Sequence, residues 1–209
     1  MSESAGHMSI SADQVKRLRE MTGAGMMDCK RALQESDGDV DKAVELLRQK
    51  GLAAASKRAG RVASEGVVEA YIHGGGRIGA MVEVSCETDF VANTEEFRSL
   101  ARDIAMQVAA HDPEWVSRED VPEEVLAQER KIYEAQARDA GKPENVIPRI
   151  VEGKLEAFYE QRCLLDQPFF RDMEGNTSVG DVVTKLGAAV GEKVQVSRFV
   201  RFVRGESGG

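Results

Sequence analysis

The chain has 209 residues, of which 42% are hydrophobic and 31% charged, so it can bury a core and is not disordered throughout. Its formal net charge of −8 argues against a general binder of nucleic acids or of anionic membranes, because both partners would repel it. Residues 1–62 carry 11 basic and 9 acidic side chains and residues 63–209 carry 17 and 27, which indicates two parts with different surfaces.

The sequence predicts a cytoplasmic protein. Cys29, Cys86 and Cys163 are an odd number without a Cys-x-x-Cys pair, so we expect no disulfide framework. No run of about 18 apolar residues predicts a membrane-spanning helix. Residues 1–8 lack the apolar region of a secretory signal, and Gly6-His7-Met8 resembles a cloning scar, so these residues are left out of the predicted fold.

The first predicted elements are short helices. Helical periodicity and glycine stops predict three of them, over residues 11–23, 26–36 and 39–51. The first begins with a capping box, in which Ser11 is followed three residues later by Gln14. Each helix is too short to be stable alone, so we expect a bundle over residues 9–52. The alanine-rich, basic stretch 53–65 predicts a helical linker.

After this linker the hydrophobic period changes from 3.6 to 2. Alternation on both sides of Gly74-Gly75-Gly76 predicts a β-hairpin of residues 66–73 and 78–86. Asn93, with Glu96 three residues later, predicts the N-cap of a helix that ends near His111. A core domain over residues 66–209 is therefore expected to be α+β, with antiparallel strands.

The second half of this core domain is predicted to contain an inserted helical hairpin at about 120–163. Gly141-Lys142-Pro143 separates its two apolar seams, so the helices run antiparallel. Because Pro148 lacks a backbone donor, the second helix must begin near Ile147 or kink. A helix over 179–190 and a strand over 194–203 complete the predicted core.

The sequence offers no group of residues that favours catalysis or metal binding. Gly74-Gly75-Gly76 precedes a strand, whereas a phosphate-binding loop needs a helix N-terminus. Cys86 alternates within a predicted strand, which favours a core residue over a nucleophile. The remaining candidate ligands match no zinc spacing: His73, His111, Cys86, Glu87 and Asp89. We therefore expect no metal, no cofactor and no covalent chemistry.

Two pairs of residues stand out as candidate contacts. Met26 and Met27 open a helix, and adjacent helical residues point about 100° apart, so both can scarcely enter one small core. They form either an adaptable contact surface or one core and one incidental methionine. Asp89-Phe90 lies between a strand and a helix, where it is either a functional pair or a core Phe beside a capping Asp. These patterns alone predict an acidic interaction protein.

These same pairs belong to two runs that resemble the signatures of the bacterial translation elongation factor Ts family. The first run extends from Val15 to Leu33 and contains Gly23-Ala24-Gly25-Met26-Met27. The second is Glu83-Val84-Ser85-Cys86-Glu87-Thr88-Asp89-Phe90-Val91-Ala92. Gly141-Lys142-Pro143 and Gln167-Pro168-Phe169 resemble later segments of the same family.

The resemblance implies both a fold and a function. The bundle would be a ubiquitin-associated-like domain, and the single hairpin-and-helix unit would be that of the short form, which implies a homodimer in a 2:2 complex. The implied partner is the GTPase elongation factor Tu, from which the family factor ejects GDP while holding no nucleotide or metal itself.

The resemblance also implies roles for seven residues. Four would dislocate Mg²⁺ and release GDP: Thr88, Asp89, Phe90 and Val91. Three would dock on the nucleotide domain of the GTPase: Arg19, Met26 and Met27. The alternative is a ubiquitin-associated-type adaptor that binds other chains without exchange activity.

Overall fold

A computed structural model describes residues 10–206, apart from the side chain of Leu52. The predicted scar within residues 1–8 lies outside this range. The described residues form α1 (Ala12–Thr22), α2 (Met26–Glu35), α3 (Val40–Arg58), β1 (Glu65–His73), β2 (Ile78–Cys86), α4 (Asp89–Ala92), α5 (Glu95–His111), α6 (Glu123–Asp139), α7 (Ile147–Arg162), α8 (Val179–Val190) and β3 (Gln195–Val203). The predicted α+β class is confirmed.

Helices α1, α2 and α3 pack around a small aliphatic core. The predicted capping box at the start of α1 is confirmed, because Ser11 Oγ accepts from Gln14 N–H (3.2 Å) and Gln14 Oε1 accepts from Ser11 N–H (2.9 Å). Burial of one face of each helix supplies most of the stability of these helices. The buried residues of this core are Val15, Leu18, Cys29, Ala32, Leu33, Ala43 and Leu47.

The prediction that the third helix ends at Gly51 is wrong, because α3 continues to Arg58 without interruption. One glycine in a helix interior costs only about 1 kcal/mol relative to alanine. The three alanines at 53–55 favour the helix immediately afterwards. The first part of the segment predicted as a separate linker helix, residues 53–58, is therefore the last part of α3.

The three strands form one antiparallel sheet in the order β1-β2-β3, so β2 is central. The predicted hairpin turn is confirmed, since Gly74, Gly75 and Gly76 adopt φ of 60°, 66° and 84°, which glycine reaches without strain. Arg204 N–H donates to the carbonyl of Arg77 (2.8 Å) where β3 ends beside the start of β2.

One face of the sheet is buried, and strand β3 contacts the end of α5. The most buried positions of this face are Ala80, Val82 and Val84 of β2, and those of the helix include Phe97, Leu100, Ile104 and Val108. Arg201 Nε of β3 donates to the carbonyl of Ala109 at the end of α5 (3.3 Å).

The N-cap of α5 differs from the predicted one. Thr94, not Asn93, caps this helix, and its Oγ1 accepts from Phe97 N–H (3.3 Å). Asn93 instead closes the short helix α4, because its backbone N–H and its Nδ2 both donate to the carbonyl of Asp89 (3.0 and 2.9 Å). The four-residue helix α4 was not expected from the periodicity, which needs longer segments.

Helices α6 and α7 form the predicted hairpin and share their own core. Its buried residues are Ala137, Ile147, Val151 and Leu155. The prediction for Pro148 is confirmed: α7 begins at Ile147, so the proline lies in the first turn, where its missing N–H has no intrahelical acceptor.

The chain divides into two compact units, which interleave along the sequence. Within the described range, one contains residues 10–66, 85–93 and 183–195, and the other contains 67–84, 94–182 and 196–206. The predicted boundaries at 52 and 65 stay a prediction. Among the helices of the described residues, none is long and apolar enough to span a membrane.

Candidate functional site

The Asp89-Phe90 pair lies on the short helix α4, directly after β2. Thr88 is the N-cap, and its Oγ1 accepts from Val91 N–H (3.4 Å). Phe90 is 83% exposed, whereas Val91 is buried, and Asp89 is exposed beside Phe90. The sequence left open whether Phe90 is a core residue, and the structure excludes this. An aromatic side chain so exposed on an ordered turn is typical of a contact with another molecule.

A carboxylate from the other end of the chain holds this turn. Glu192 Oε2 accepts from the backbone N–H groups of Glu87 and Thr88 (3.1 Å each), and Glu192 Oε1 accepts from Thr88 Oγ1 (2.6 Å). Hydrogen bonds to an ionised acceptor are about twice as strong as neutral ones. Thr88 therefore caps α4 and joins it to Glu192 through one hydroxyl group.

A second carboxylate makes the reciprocal contact. Glu87 Oε1 accepts from the backbone N–H of Lys193 (2.6 Å) and from Arg61 Nη1 (3.2 Å). These donors, the Lys193 N–H first, lower the pKa of the Glu87 carboxyl, so it stays ionised at pH values where a free glutamate begins to protonate. Lys193 Nζ donates to the carbonyl of Ala59 just beyond α3 (2.8 Å).

Cys86 lies beneath the Asp89-Phe90 turn and is not part of its exposed surface. The thiol is fully buried, and Sγ donates to the carbonyl of Thr88 (3.1 Å). Burial raises the pKa of the Cys86 thiol, which disfavours the thiolate and hence a nucleophilic role. The described residues contain no group of three or more His, Cys, Asp or Glu that could hold a metal ion.

The second candidate surface lies around the turn between α1 and α2. Met26 and Met27 are 49% and 65% exposed, so neither is the core methionine that one interpretation required. Arg19 is exposed on the last turn of α1, and its carbonyl accepts from Gly23 N–H (2.7 Å). Gly23 adopts φ 68°, which ends α1 and turns the chain toward α2.

This second turn is also tied to a residue distant in sequence. Lys185 Nζ of α8 donates to the carbonyl of Met21 (3.3 Å). The methylenes of Lys185 lie against Gly23, so that a Cβ there would be 2.6 Å from Cε of the lysine. The turn that presents the two methionines is therefore held from outside the bundle.

The structure separates the predicted site residues by how they can act. Asp89 and Phe90, like Met26 and Met27, are exposed and able to contact a partner. The side chains of Thr88 and Val91 instead face inward and hold α4 in place. Sequence reasoning missed Glu192, Lys193 and Lys185, because no local pattern connects positions more than 100 residues apart.

Comparison with known proteins identifies similar chains along most of the length. A family model described as Elongation factor TS matches residues 29–206. The Elongation factor Ts of Carboxydothermus hydrogenoformans is 61% identical over 197 residues, covering 94% of this chain and 90% of the relative. That of Caldanaerobacter subterraneus subsp. tengcongensis is also 61% identical, over 94% and 98%. That of Thermotoga neapolitana is 55% identical over 201 residues, covering 96% and 100%.

Proposed function

The chain belongs to the elongation factor Ts family, and from that premise we propose that it is a guanine nucleotide exchange factor for elongation factor Tu. It would bind the GDP-bound GTPase, promote release of GDP and so allow GTP to bind. The observation that carries this proposal is Phe90, which is 83% exposed at the tip of a firmly held turn.

The exposed turn supports a mechanism in which binding of this protein and binding of GDP to the GTPase oppose each other. Phe90 would enter an apolar pocket of the GTPase, and Asp89 would rearrange polar contacts near Mg²⁺ and the phosphates. Thr88 and Val91 would act by shaping the turn. Because coupling between two binding events is reciprocal, the factor by which this protein weakens GDP binding is the factor by which GDP weakens its own binding.

Docking would use the surface around the α1–α2 turn. Met26 and Met27 offer flexible, polarisable side chains to the nucleotide domain, and Arg19 adds a charged donor beside them. This contact would supply affinity, while the Asp89-Phe90 turn supplies the disturbance of the nucleotide. The proposed activity involves no covalent chemistry, and we propose that it takes place in the cytoplasm without direct contact with nucleic acid.

We also propose a homodimer, which would give a 2:2 complex with the GTPase. The support comes from the face of the sheet opposite α5. Ile72 lies against Gly79 and Arg198 Nε donates to Glu83 Oε2 (2.6 Å), so these residues of three strands share that face. Its exposed apolar side chains are Val68, Ile72, Met81, Val200 and Phe202. A second copy would cover an apolar surface that is unusual on a monomer.

The proposed exchange activity can be tested with elongation factor Tu carrying a fluorescent GDP. We expect addition of this protein to accelerate the loss of fluorescence, and no acceleration would refute the proposal. Phe90→Ala should lower the release rate at saturation about tenfold or more, as for a buried interface aromatic. Met173→Ala is the matched control, because Met173 is 94% exposed and lies outside both candidate surfaces.

The adaptor alternative is not favoured. A ubiquitin-associated-type adaptor would need only the bundle of α1, α2 and α3, whereas the family match covers residues 29–206. The adaptor function also gives no role to the exposed Phe90. Binding to ubiquitin-like proteins without any effect on GDP release would be the result that supports it.

A further inference from the structure

We propose that Glu192 is a positioning residue for nucleotide exchange, which fixes the α4 turn in the orientation that presents Asp89 and Phe90 to the partner. This inference rests on the proposed exchange function. Glu192 would act through α4 and would not itself contact the GTPase.

The Glu192 carboxylate binds the chain just before α4 at several points. Both oxygens of Glu192 are used, and together they accept from two backbone N–H groups and one hydroxyl of the residues that precede α4. The N–H of Glu87 and that of Thr88 lie where the strand ends and the helix begins. The carboxylate thus fixes the backbone at the point that sets the direction of α4.

Helix α4 cannot fix its own position. A helix of four residues is far below the length at which a helix is stable alone in water. Its burial comes from Val91 and Ala92 on one side, while Asp89 and Phe90 project on the other. Movement of the N-cap would therefore move Phe90 directly.

Glu192 is itself held rigidly. It follows Gly191, which ends α8 with φ 76°, and a Cβ added at Gly187 would lie 3.0 Å from the carbonyl oxygen of Glu192. The next residue, Lys193, donates its N–H to Glu87 (2.6 Å). Residues 87–88 and residues 192–193 therefore bind each other in both directions. These bonds fix the distance between the two segments and their relative orientation.

The position of Phe90 should affect the exchange step more than the binding step. A misplacement of about 1 Å at a reacting geometry can lower a rate by about 100-fold. Docking through Met26 and Met27 does not depend on α4. Loss of Glu192 should therefore lower the GDP-release rate at saturation while the half-saturating concentration stays nearly the same.

The experiment measures release of fluorescent GDP from elongation factor Tu over a range of concentrations of this protein. We expect Glu192→Ala to lower the saturated rate about tenfold and Glu192→Gln to lower it less, each with a half-saturating concentration within about twofold of wild type. Glu160→Gln, an exposed charge removal on α7, is the matched control and should behave as wild type. An unchanged saturated rate in Glu192→Ala would overturn the proposal. A variant that changes only the half-saturating concentration would overturn it as well.

Two further arms separate positioning from general destabilisation. In the Phe90→Ala background, Glu192→Ala should lower the saturated rate by a smaller factor than in the wild type, because only its effect through Asp89 remains; a full multiplicative loss would contradict this. If Glu192→Ala does not fold, as judged by far-UV circular dichroism, Thr88 provides the test. Thr88→Val should lower the saturated rate, and Thr88→Ser, which keeps the hydroxyl, should retain most of it. Equal saturated rates in the two variants would refute the role of the contact between Thr88 and Glu192.

The wild-type protein separates a failure of the proposed exchange function from a failure of the positioning role of Glu192. If it fails to accelerate GDP release, the proposed function is wrong. If it accelerates release and the Glu192 and Thr88 variants match it, only the positioning role is wrong.

Discussion

At the scale of single residues, substitutions in the two candidate surfaces should change different parameters of GDP release. Met27 is exposed and contributes little to the core, so Met27→Ala should leave the free energy of unfolding within about 0.5 kcal/mol of wild type. Because it belongs to the proposed docking surface, the variant should raise the half-saturating concentration in the GDP-release assay severalfold. Its saturated rate should stay close to wild type. A loss confined to the saturated rate would instead assign Met27 to the exchange step.

The cysteines supply a second prediction at this scale. All three thiols are buried, and burial raises the pKa of Cys163 to about 11. At pH 8 only about one molecule in a thousand would then carry the Cys163 thiolate, against roughly a quarter for a free cysteine of pKa about 8.5. We expect the native protein to react slowly with a chromogenic disulfide reagent at pH 8 and to release three equivalents rapidly in urea. A thiol that reacts rapidly in the native protein would contradict the burial of all three cysteines.

At the scale of elements, the uninterrupted helix α3 predicts a stabilising substitution. Gly51 lies in the interior of α3, and a Cβ built there has no atom within 4 Å. Gly51→Ala should therefore raise the free energy of unfolding by about 0.5–1 kcal/mol, because alanine loses less backbone entropy in a helix. Urea denaturation followed by circular dichroism measures this change. A destabilised Gly51→Ala would mean that α3 is broken at Gly51, as the sequence first suggested.

Gly23→Ala is the matched comparison. It is the same substitution, but Gly23 adopts φ 68°, and an added Cβ would lie 2.6 Å from Cε of Lys185. The left-handed conformation alone costs a non-glycine residue about 1–2 kcal/mol. The two variants should therefore change stability in opposite directions.

Most elements could be predicted from the sequence because their signals are local. The capping box at Ser11, the glycine turn at 74–76 and the start of α7 at Ile147 each depend on residues within a few positions of one another. The errors have the same origin. Gly51 carries a stop signal that the following alanines outweigh, and α4 is too short to give a period, so the local pattern assigns its closing residue Asn93 to the cap of α5.

The candidate site could be predicted only in part, for a physical reason of the same kind. The runs around Met26 and Phe90 are contiguous, and the family resemblance locates them. Their exposure depends on packing, which the periodicity of short segments does not determine. The support from Glu192 joins residues 104 positions apart, and no local pattern encodes such a contact.

At the scale of the whole molecule, the apolar face of the sheet should determine the oligomeric state. Phe202 is 68% exposed on β3, and it shares its face with the exposed Met81 of β2 and Ile72 of β1. Burying several such side chains against a second copy would contribute about 25 cal/mol per Å² of apolar area removed from water. A twofold arrangement would bring the same face of each chain together, as is usual for a homodimer.

We therefore expect light scattering coupled to size-exclusion chromatography to give twice the mass of one chain for the wild type. Phe202→Glu should shift the protein to the monomer, because a dimer would bury its charge without a partner. The side chain is exposed in the single chain, so circular dichroism of the monomeric variant should stay close to that of the wild type. Met173→Glu adds the same charge at another exposed apolar position and should remain dimeric. A wild type that is monomeric, or a Phe202→Glu variant that stays dimeric, would exclude this face as the interface.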